Sequence, residues 1–559
     1  MDIRSPVFTD EAECQDCYKC LRACPVKAIS VKGGHAQIRP EACVACGRCV
    51  SACPATAKRI RDDLPQVRQL IASGSTVVSL APSWVAEFPD LAPGQMIAAL
   101  HALGFSAVSE TALGARAVSA AVAELRAGDP RHLWLSTACP AAVDFIRKHR
   151  PALATALTPL ASPALTHARM LQSAYPGCRV VLISPCVAKK READEHPELL
   201  AAAITFADLR RWWQDAGIDP GRLADDGVFA LGRAADAAIY PVEGGMLDGV
   251  RRHGDRLDPG LASCSGIAEL DLALAGLSHD DGAMFVETLA CNGGCVNGPG
   301  MTAGGFMLKR RAIVLRAVQQ GDGEAIPAVE TGLDWPTLPV APDTADEIAL
   351  ADALGRTGKR TREDELNCSG CGYETCRDFA RALLAGRSEP SQCVTWMRRL
   401  AQRKANALLM AMPAGAVLVD RELRLIECNQ HFARLVGTDD RCVAGAGLAT
   451  LLPFARTFRH VLDGHGDVVE RDFAMAGRML HGSVFTVEPG QVVGAVMVDV
   501  TEPTMGRAQV AARAKEAIEK HLATVQRIAY LLGENAAETE GLLSQIVDAY
   551  EPEGGDGPH

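Results

Sequence analysis

Eight cysteines near the start of this chain repeat one spacing twice, and that spacing constrains the fold more than any other feature. Cys14, Cys17, Cys20 and Cys24, the last followed by Pro25, are echoed by Cys43, Cys46, Cys49 and Cys53, followed by Pro54. Cysteines with two residues between them point several sulfurs at one centre, which suits a metal better than disulfides. The first residues, Met1-Asp2-Ile3-Arg4-Ser5, carry no basic and apolar leader pattern and no twin arginine. No apolar run approaches the length of a membrane span. The expected location is therefore the cytoplasm, where disulfides are rare and thiolates serve metals. The chain has twenty cysteines in all, so metal ligation is the dominant theme.

The duplicated run resembles the two-cluster bacterial ferredoxins over roughly residues 8–58. In that family three close cysteines wrap one cluster and the fourth, beside proline, reaches across to the other. The resemblance implies one 4Fe-4S cube on Cys14, Cys17, Cys20 and Cys53, and a second on Cys43, Cys46, Cys49 and Cys24. Zinc is the competing metal, but it prefers two separated CxxC pairs.

At 559 residues with 48% apolar residues, the chain is too long for one core and reads as several globular domains. A formal net charge of −11 argues against nucleic acid as a partner. The expected fold is multidomain α/β and α+β. Residues 1–62 form the ferredoxin-like domain and 63–335 an α/β block. Residues 336–365, rich in Pro, Asp and Arg, read as a linker. A small α-rich four-cysteine domain spans 366–404, a PAS-like α+β domain 405–502, and a C-terminal helix with a disordered tail 503–559.

Within 63–335, strand-like and helix-like segments alternate. Thr76–Leu80, Ser106–Val108, His132–Leu135 and Arg179–Ile183 read as strands, with helices predicted from about Pro93 and over 113–126. This alternation predicts βαβ units and mainly parallel sheets. Ligands in such folds sit beyond the carboxyl ends of strands, and Cys139 and Cys186 fall just past predicted strands.

Three motifs in this block resemble those of the iron-iron (FeFe) hydrogenase catalytic domain, TSCCP, PCxxKxxE and ACxxGC. They read here as Thr137-Ala138-Cys139-Pro140 after Ser136, Pro185-Cys186 with Lys189 and Glu192, and Ala290-Cys291 with Gly294-Cys295. The resemblance covers roughly residues 70–335. It implies an H-cluster: a 4Fe-4S cube on Cys139, Cys186, Cys291 and Cys295, with Cys295 also bridging to a diiron subcluster carrying CO, cyanide and a dithiolate. It further implies Lys189 as donor to one cyanide and Ser83 as a contact to the other. Glycines near Cys291 would let backbone approach the cluster.

Several departures bear on rate. The first cysteine of TSCCP, the family's proton-exchanging thiol, is Ala138 here. The helix that carries relay glutamates in active members reads Ser119-Ala120-Ala121-Val122-Ala123-Glu124, with Glu124 as a candidate displaced relay. Two methionines that line the family's diiron pocket are Ser184 and Leu289. These changes spare metal binding and weaken turnover, a pattern similar to the sensory, PAS-containing group.

Cys368, Cys371, Cys376 and Cys393 form a further set, similar to small four-cysteine Fe-S domains of multi-cluster redox proteins. A 4Fe-4S cube is expected there, with structural zinc as the alternative. Residues 414–437 read as strand, turn, strand and an Asn429-led helix ending at Gly437, and 491–501 as a last strand. This pattern resembles a PAS domain, with ligand unknown; Cys428 and His431 carry no cofactor assignment. Ile518, Leu522, Val525, Ala529 and Leu532 lie near a heptad seam. That helix is expected either to pack on the PAS core or to serve a homodimer.

The reading is an FeFe hydrogenase of low activity. It performs reversible H2 activation with electron transfer through 4Fe-4S clusters, and it senses H2 or redox state with output through the PAS-like region. Expected partners are H2 and protons, a redox partner such as ferredoxin, and an unidentified signalling protein, with no nucleic acid and no membrane. The alternatives are an ordinary ferredoxin-dependent hydrogenase and a non-catalytic Fe-S relay on the same fold.

Overall fold

A computed structural model describes residues 5–251, 258–277, 284–302, 305–318, 327–438, 445–501, Glu516 and 518–520. The chain divides into two compact units, residues 1–393 and 394–559. The predicted seam residues Leu522, Val525, Ala529 and Leu532 lie outside the described residues.

The N-terminal lobe contains β1 (Val7–Thr9), β2 (Ile29–Lys32), β3 (His35–Ile38) and β4 (Lys58–Ile60). β1 pairs antiparallel with β4, and β2 with β3. Each cysteine run enters a short helix, Lys19–Ala23 in the first and Arg48–Ala52 in the second. The two runs share backbone form. Asp16, Tyr18 and Lys27 adopt positive φ in the first, and Ala45, Gly47 and Thr56 do so at matching places in the second. Left-handed residues are rare outside glycine, so their recurrence marks a duplicated loop shape that both cysteine runs require.

The central block holds β5 (Thr76–Leu80), β6 (Ala107–Glu110), β7 (Leu133–Leu135), β8 (Arg179–Ser184), β9 (Ala202–Thr205), β10 (Leu261–Ser265) and β11 (Met284–Leu289). They form two parallel sheets, ordered β6-β5-β8-β9 and β10-β11-β7. Every residue of β5 is buried, as expected where both faces of a parallel sheet are covered. Successive residues serve opposite faces. Val78, Leu80, Val181 and Ile183 pack with the helices Pro93–Ala102 and Phe206–Asp215, whereas Val77, Val180 and Leu182 meet the helix Pro163–Ala174.

One buried polar element crosses this core. His167 is fully buried, with Nδ1 2.8 Å from Ser79 Oγ and Nε2 3.0 Å from Ser109 Oγ. Burial lowers its pKa from about 6.5 to about 3. Between those values the unfolded chain binds a proton that the folded chain does not. Stability is therefore full above pH 6.5 and falls as pH drops toward 3, by up to about 1.4 kcal/mol per unit. Denaturant unfolding of the first unit is expected to show a loss of about 2 kcal/mol from this group between pH 6.5 and 5. His167→Gln should remove that component of the slope.

The stretch 336–365, expected as a linker, is structured. Arg147 Nε donates to Pro336 O at 2.6 Å, and the Leu338 and Val340 amides donate to the backbone carbonyls of Arg147 and Lys148, each at 3.1 Å. A helix follows over Glu347–Arg356, N-capped by Asp346, whose carboxylate accepts from the Ala349 amide at 2.7 Å. Leu350, Ala353 and Leu354 pack on Cys376 and Ala380 of the helix Cys376–Leu384. Its apolar face is only three residues wide, too little to stand out against a Pro- and Arg-rich background. At the other boundary, the helix Val394–Ala411 falls in the second unit rather than in the four-cysteine domain expected over 366–404.

The second unit is built on β12 (Gly415–Asp420), β13 (Leu425–Cys428), β14 (Val468–Met475), β15 (Arg478–Glu488) and β16 (Val492–Asp499), in the order β13-β12-β16-β15-β14, all antiparallel. Phe432 of the helix Gln430–Leu435 and Phe458 of Ala455–Leu462 pack with Val417, Val484 and Ala495. Asn429 caps the first of these helices, accepting from the Phe432 amide at 2.9 Å, and its side chain also bridges to the Ala416 amide and the Ala414 carbonyl. Cys428 is disulfide-bonded.

Candidate functional site

Loops that leave the carboxyl ends of parallel strands in both sheets carry the candidate residues. Ser83 follows β5 and Cys186 follows β8 in the larger sheet. Cys139 follows β7 and Cys291 follows β11 in the smaller one. A parallel sheet delivers such loops to one edge, and two neighbouring sheets can deliver them to one point. There, Cys139, Cys186, Cys291 and Cys295 line a single cavity with Leu289, Ala290, Val187, Pro299 and Cys46 of the N-terminal lobe.

The thiols feel one another. Burial is the main cause that pushes each of them up, Cys186 to about 12, and the negative charge of neighbouring thiolates adds to it at Cys186, Cys291 and Cys295. Four bare thiolates are thus disfavoured here. A positively charged metal centre removes the penalty by taking the thiolates as ligands, with release of their protons. The donor set fits a cluster rather than zinc. Among the described residues no three cysteine sulfurs lie within 4.8 Å of one another, whereas a tetrahedral zinc with bonds of about 2.3 Å would hold its sulfurs roughly 3.8 Å apart.

Two buried polar groups, Ser83 and Lys189, carry the remaining motif assignments. Ser83 is fully buried, and its hydroxyl has no hydrogen-bond partner among the described residues. A buried orphan hydroxyl is costly, and a polar cofactor would satisfy it. Lys189 Nζ donates to Ser162 Oγ at 2.8 Å and to Glu192 Oε2 at 2.6 Å. That leaves one ammonium proton, and the positive charge partly offsets the burial of Cys139, Cys186 and Cys295.

Several groups of the site carry little or no sequence signal. Glu192 is only a motif letter in the sequence, yet it anchors Lys189. Glu287 on β11 is buried and accepts from the amides of Gly244 (2.6 Å) and Met246 (3.0 Å) and from Ser263 Oγ (2.7 Å). Burial raises its pKa despite these donors. Glu287 and Cys295 also raise the buried Tyr240 hydroxyl, after burial itself, while Ser119 pulls it down. No spacing marks these residues, because they come from separate segments. Ala138 is half-buried and packs against the apolar cluster that contains Met246, Leu247, Val250 and Phe285. Glu124, the candidate displaced relay, is exposed on the helix Ala112–Gly128.

The N-terminal lobe is pressed into this site. Cys43 O accepts from Lys148 Nζ at 2.8 Å and Arg191 Nη1 at 2.7 Å, and Ala42 O lies 2.9 Å from His149 Nε2. Val44 and Ala45 join the apolar cluster around Cys139. Gly47 (φ +75°) is required twice over, because a side chain there would also land inside Pro299. Cys24 sits electrostatically with Cys43, Cys46 and Cys49, and Cys20 with Cys14 and Cys17. In the third set, Cys371 feels Cys393 and Cys376, while Cys368 is exposed.

Comparison with known proteins adds independent findings. Residues 74–299 match the family model "iron only hydrogenase large subunit, C-terminal domain", residues 6–54 the 4Fe-4S dicluster domain, and residues 364–395 a putative Fe-S cluster model. Iron hydrogenase 1 of Clostridium pasteurianum is 24% identical over 285 residues, covering 40% of this chain and 49% of that protein. The chain thus spans about half the length of that curated relative. Among solved structures, a variant of FeFe-hydrogenase HydA1 from Chlamydomonas reinhardtii shows 19% identity and a TM-score of 0.37, covering 45% of this chain and 88% of its own. The photoactive yellow protein domain of the sensor histidine kinase Ppr from Rhodospirillum centenum shows 19% identity and a TM-score of 0.15, over 16% of this chain and 90% of its own. Among the described residues, no helix is long and apolar enough to cross a membrane.

Proposed function

We propose that this iron-sulfur protein, whose domains support membership of the iron-only hydrogenase family, activates H2 slowly in the cytoplasm and uses the resulting electrons for sensing rather than for bulk turnover. The observation that carries the reading is the meeting of Cys139, Cys186, Cys291 and Cys295 in one cavity, with the Lys189 charge acting on three of them and with no thiol at Ala138.

In this reading Cys139, Cys186, Cys291 and Cys295 would hold an H-cluster. When bound, that cofactor supplies the metal chemistry that cleaves H2 into protons and electrons. The chain's own residues do the rest. Lys189, fixed by Glu192 and Ser162, keeps one N–H free for an anionic group of the cofactor. Ser83 supplies a second donor, and charge-assisted bonds of this kind orient a ligand strongly. Leu289 and Ala290 keep the cavity apolar, which excludes water. Ala138 presents a methyl group where a thiol would pass a proton.

The placement of Cys46 in the cavity wall supports electron exit through the Cys43–Cys49 loop toward the rest of the N-terminal lobe. An antiparallel five-stranded sheet with helices packed on it supports the PAS-like reading of residues 405–502. That unit is the proposed output to a signalling protein. Infrared spectroscopy of the anaerobically maturated chain tests the core of the reading. Bands of metal-bound CO and cyanide are expected. Their absence from protein with a full iron complement would leave an electron relay and end the hydrogenase reading.

A further inference from the structure

The four-cysteine set over Cys368–Cys393 does not stand apart from the N-terminal lobe. Arg22 donates to Cys17 O at 2.8 Å and to Gly370 O at 3.5 Å, tying a ligand loop of each domain to one guanidinium. The Val31 amide donates to Arg387 O at 2.9 Å. The carboxylate of Glu389 accepts from the amides of Gly33 at 2.6 Å and Gly34 at 3.2 Å. Tyr373, next but one after Cys371, is buried, its hydroxyl 2.8 Å from Ser388 Oγ. Gly372 beside it lies against the ferredoxin-like lobe, where an added Cβ would fall 2.9 Å from Leu21 Cγ. Cys46 and Cys24 sit together in turn, and Cys46 lines the cavity of the main site.

A second observation concerns charge. Lys359 is buried, and its ammonium donates to Cys393 Sγ at 3.2 Å, to Thr357 Oγ1 at 3.1 Å and to Thr357 O at 3.2 Å. All three donors are used, so the group is fixed in place against a ligand sulfur. A buried positive charge favours the more negative, reduced form of any cluster on that sulfur.

We propose that the Cys368, Cys371, Cys376 and Cys393 centre is the electron-accepting end of the relay, coupled to the ferredoxin-like lobe across Tyr373 and held at the higher potential by Lys359. The proposal rests on the reading of all three cysteine sets as 4Fe-4S cubes. The step is a single-electron transfer. One cube of the N-terminal lobe loses one electron, this cube gains it, and no proton or ligand changes hands. Cleavage of one H2 delivers two such electrons, and the two protons leave at the main site.

The test is a reductive titration of the full, anaerobically reconstituted chain, read by electron paramagnetic resonance. A Cys371→Ser variant identifies the signal of this centre. In the parent, this signal is expected to appear first as the potential falls, and to broaden by dipolar coupling as the neighbouring cubes become reduced. Lys359→Met is expected to shift its electron-transfer equilibrium with the other cubes at least tenfold toward oxidation, equal to about 59 mV for one electron. Lys359→Arg should stay within about threefold of the parent, since the charge is kept. A centre reduced last in the parent, an uncoupled signal, or an unshifted potential in Lys359→Met with full iron would each overturn the proposal. Metal analysis separates this from failure of the underlying reading, because zinc lost in place of iron on Cys371→Ser would show that no cube is there.

Discussion

Replacing Ala138 by cysteine is expected to raise H2 turnover of the maturated protein by about two to four decades, the usual contribution of a positioned proton donor. The added sulfur enters a half-buried position against the apolar cluster of Met246, Leu247, Val250 and Phe285. Ala138→Ser provides the control. Its hydroxyl occupies similar space but yields a proton far less readily than a thiol, so its gain should be at least tenfold smaller. The measurement is H2 oxidation and evolution under matched iron content and unchanged infrared bands. A cysteine variant that binds the complete cofactor yet turns over no faster would show that proton transfer at this position does not limit the rate.

The second large effect concerns Lys189. Removing its charge leaves Glu192 buried, with one carboxylate oxygen already lacking a partner among the described residues. Breaking one half of a buried ion pair costs about 3–5 kcal/mol, and Lys189→Met should destabilise the first unit by that amount. In Lys189→Met with Glu192→Gln, no uncompensated charge remains, and most of the stability should return. Cofactor retention should not return, because the donor to its anionic group is still missing. Chemical denaturation paired with infrared spectroscopy separates the two roles. Recovery of both stability and cofactor bands in the double variant would reduce Lys189 to a structural residue.

Much of the site is legible in the order of residues alone. Ligand spacing is a local property, since three cysteines with two residues between each dictate a loop whatever surrounds them, and the duplicated lobe can be read from that spacing. The strands carrying Cys139 and Cys186 are equally visible, because a doubly buried strand is a short, unbroken apolar run. The helix Glu347–Arg356 is not visible in this way. Its three buried residues are ordinary in isolation and gain meaning only against Cys376 and Ala380. Lys359 is hidden with it, inside a stretch that composition marks as a linker. Glu287 and Tyr240 are hidden for a related reason, since burial turns ordinary residues into perturbed ones and burial belongs to the fold.

The sequence by itself thus determined the chemistry available: which thiolates exist, how they group along the chain, and that position 138 has no proton to offer. Tertiary structure decided which groups share a space. Two parallel sheets aim their carboxyl-end loops at one cavity, Gly47 lets the N-terminal lobe press Cys46 into its wall, and the packed segment before Cys368 delivers a lysine to Cys393. The division follows from range. Ligand type and spacing act over a few bonds and are written in sequence, whereas burial and electrostatic neighbourhood arise only when segments distant along the chain exclude water together.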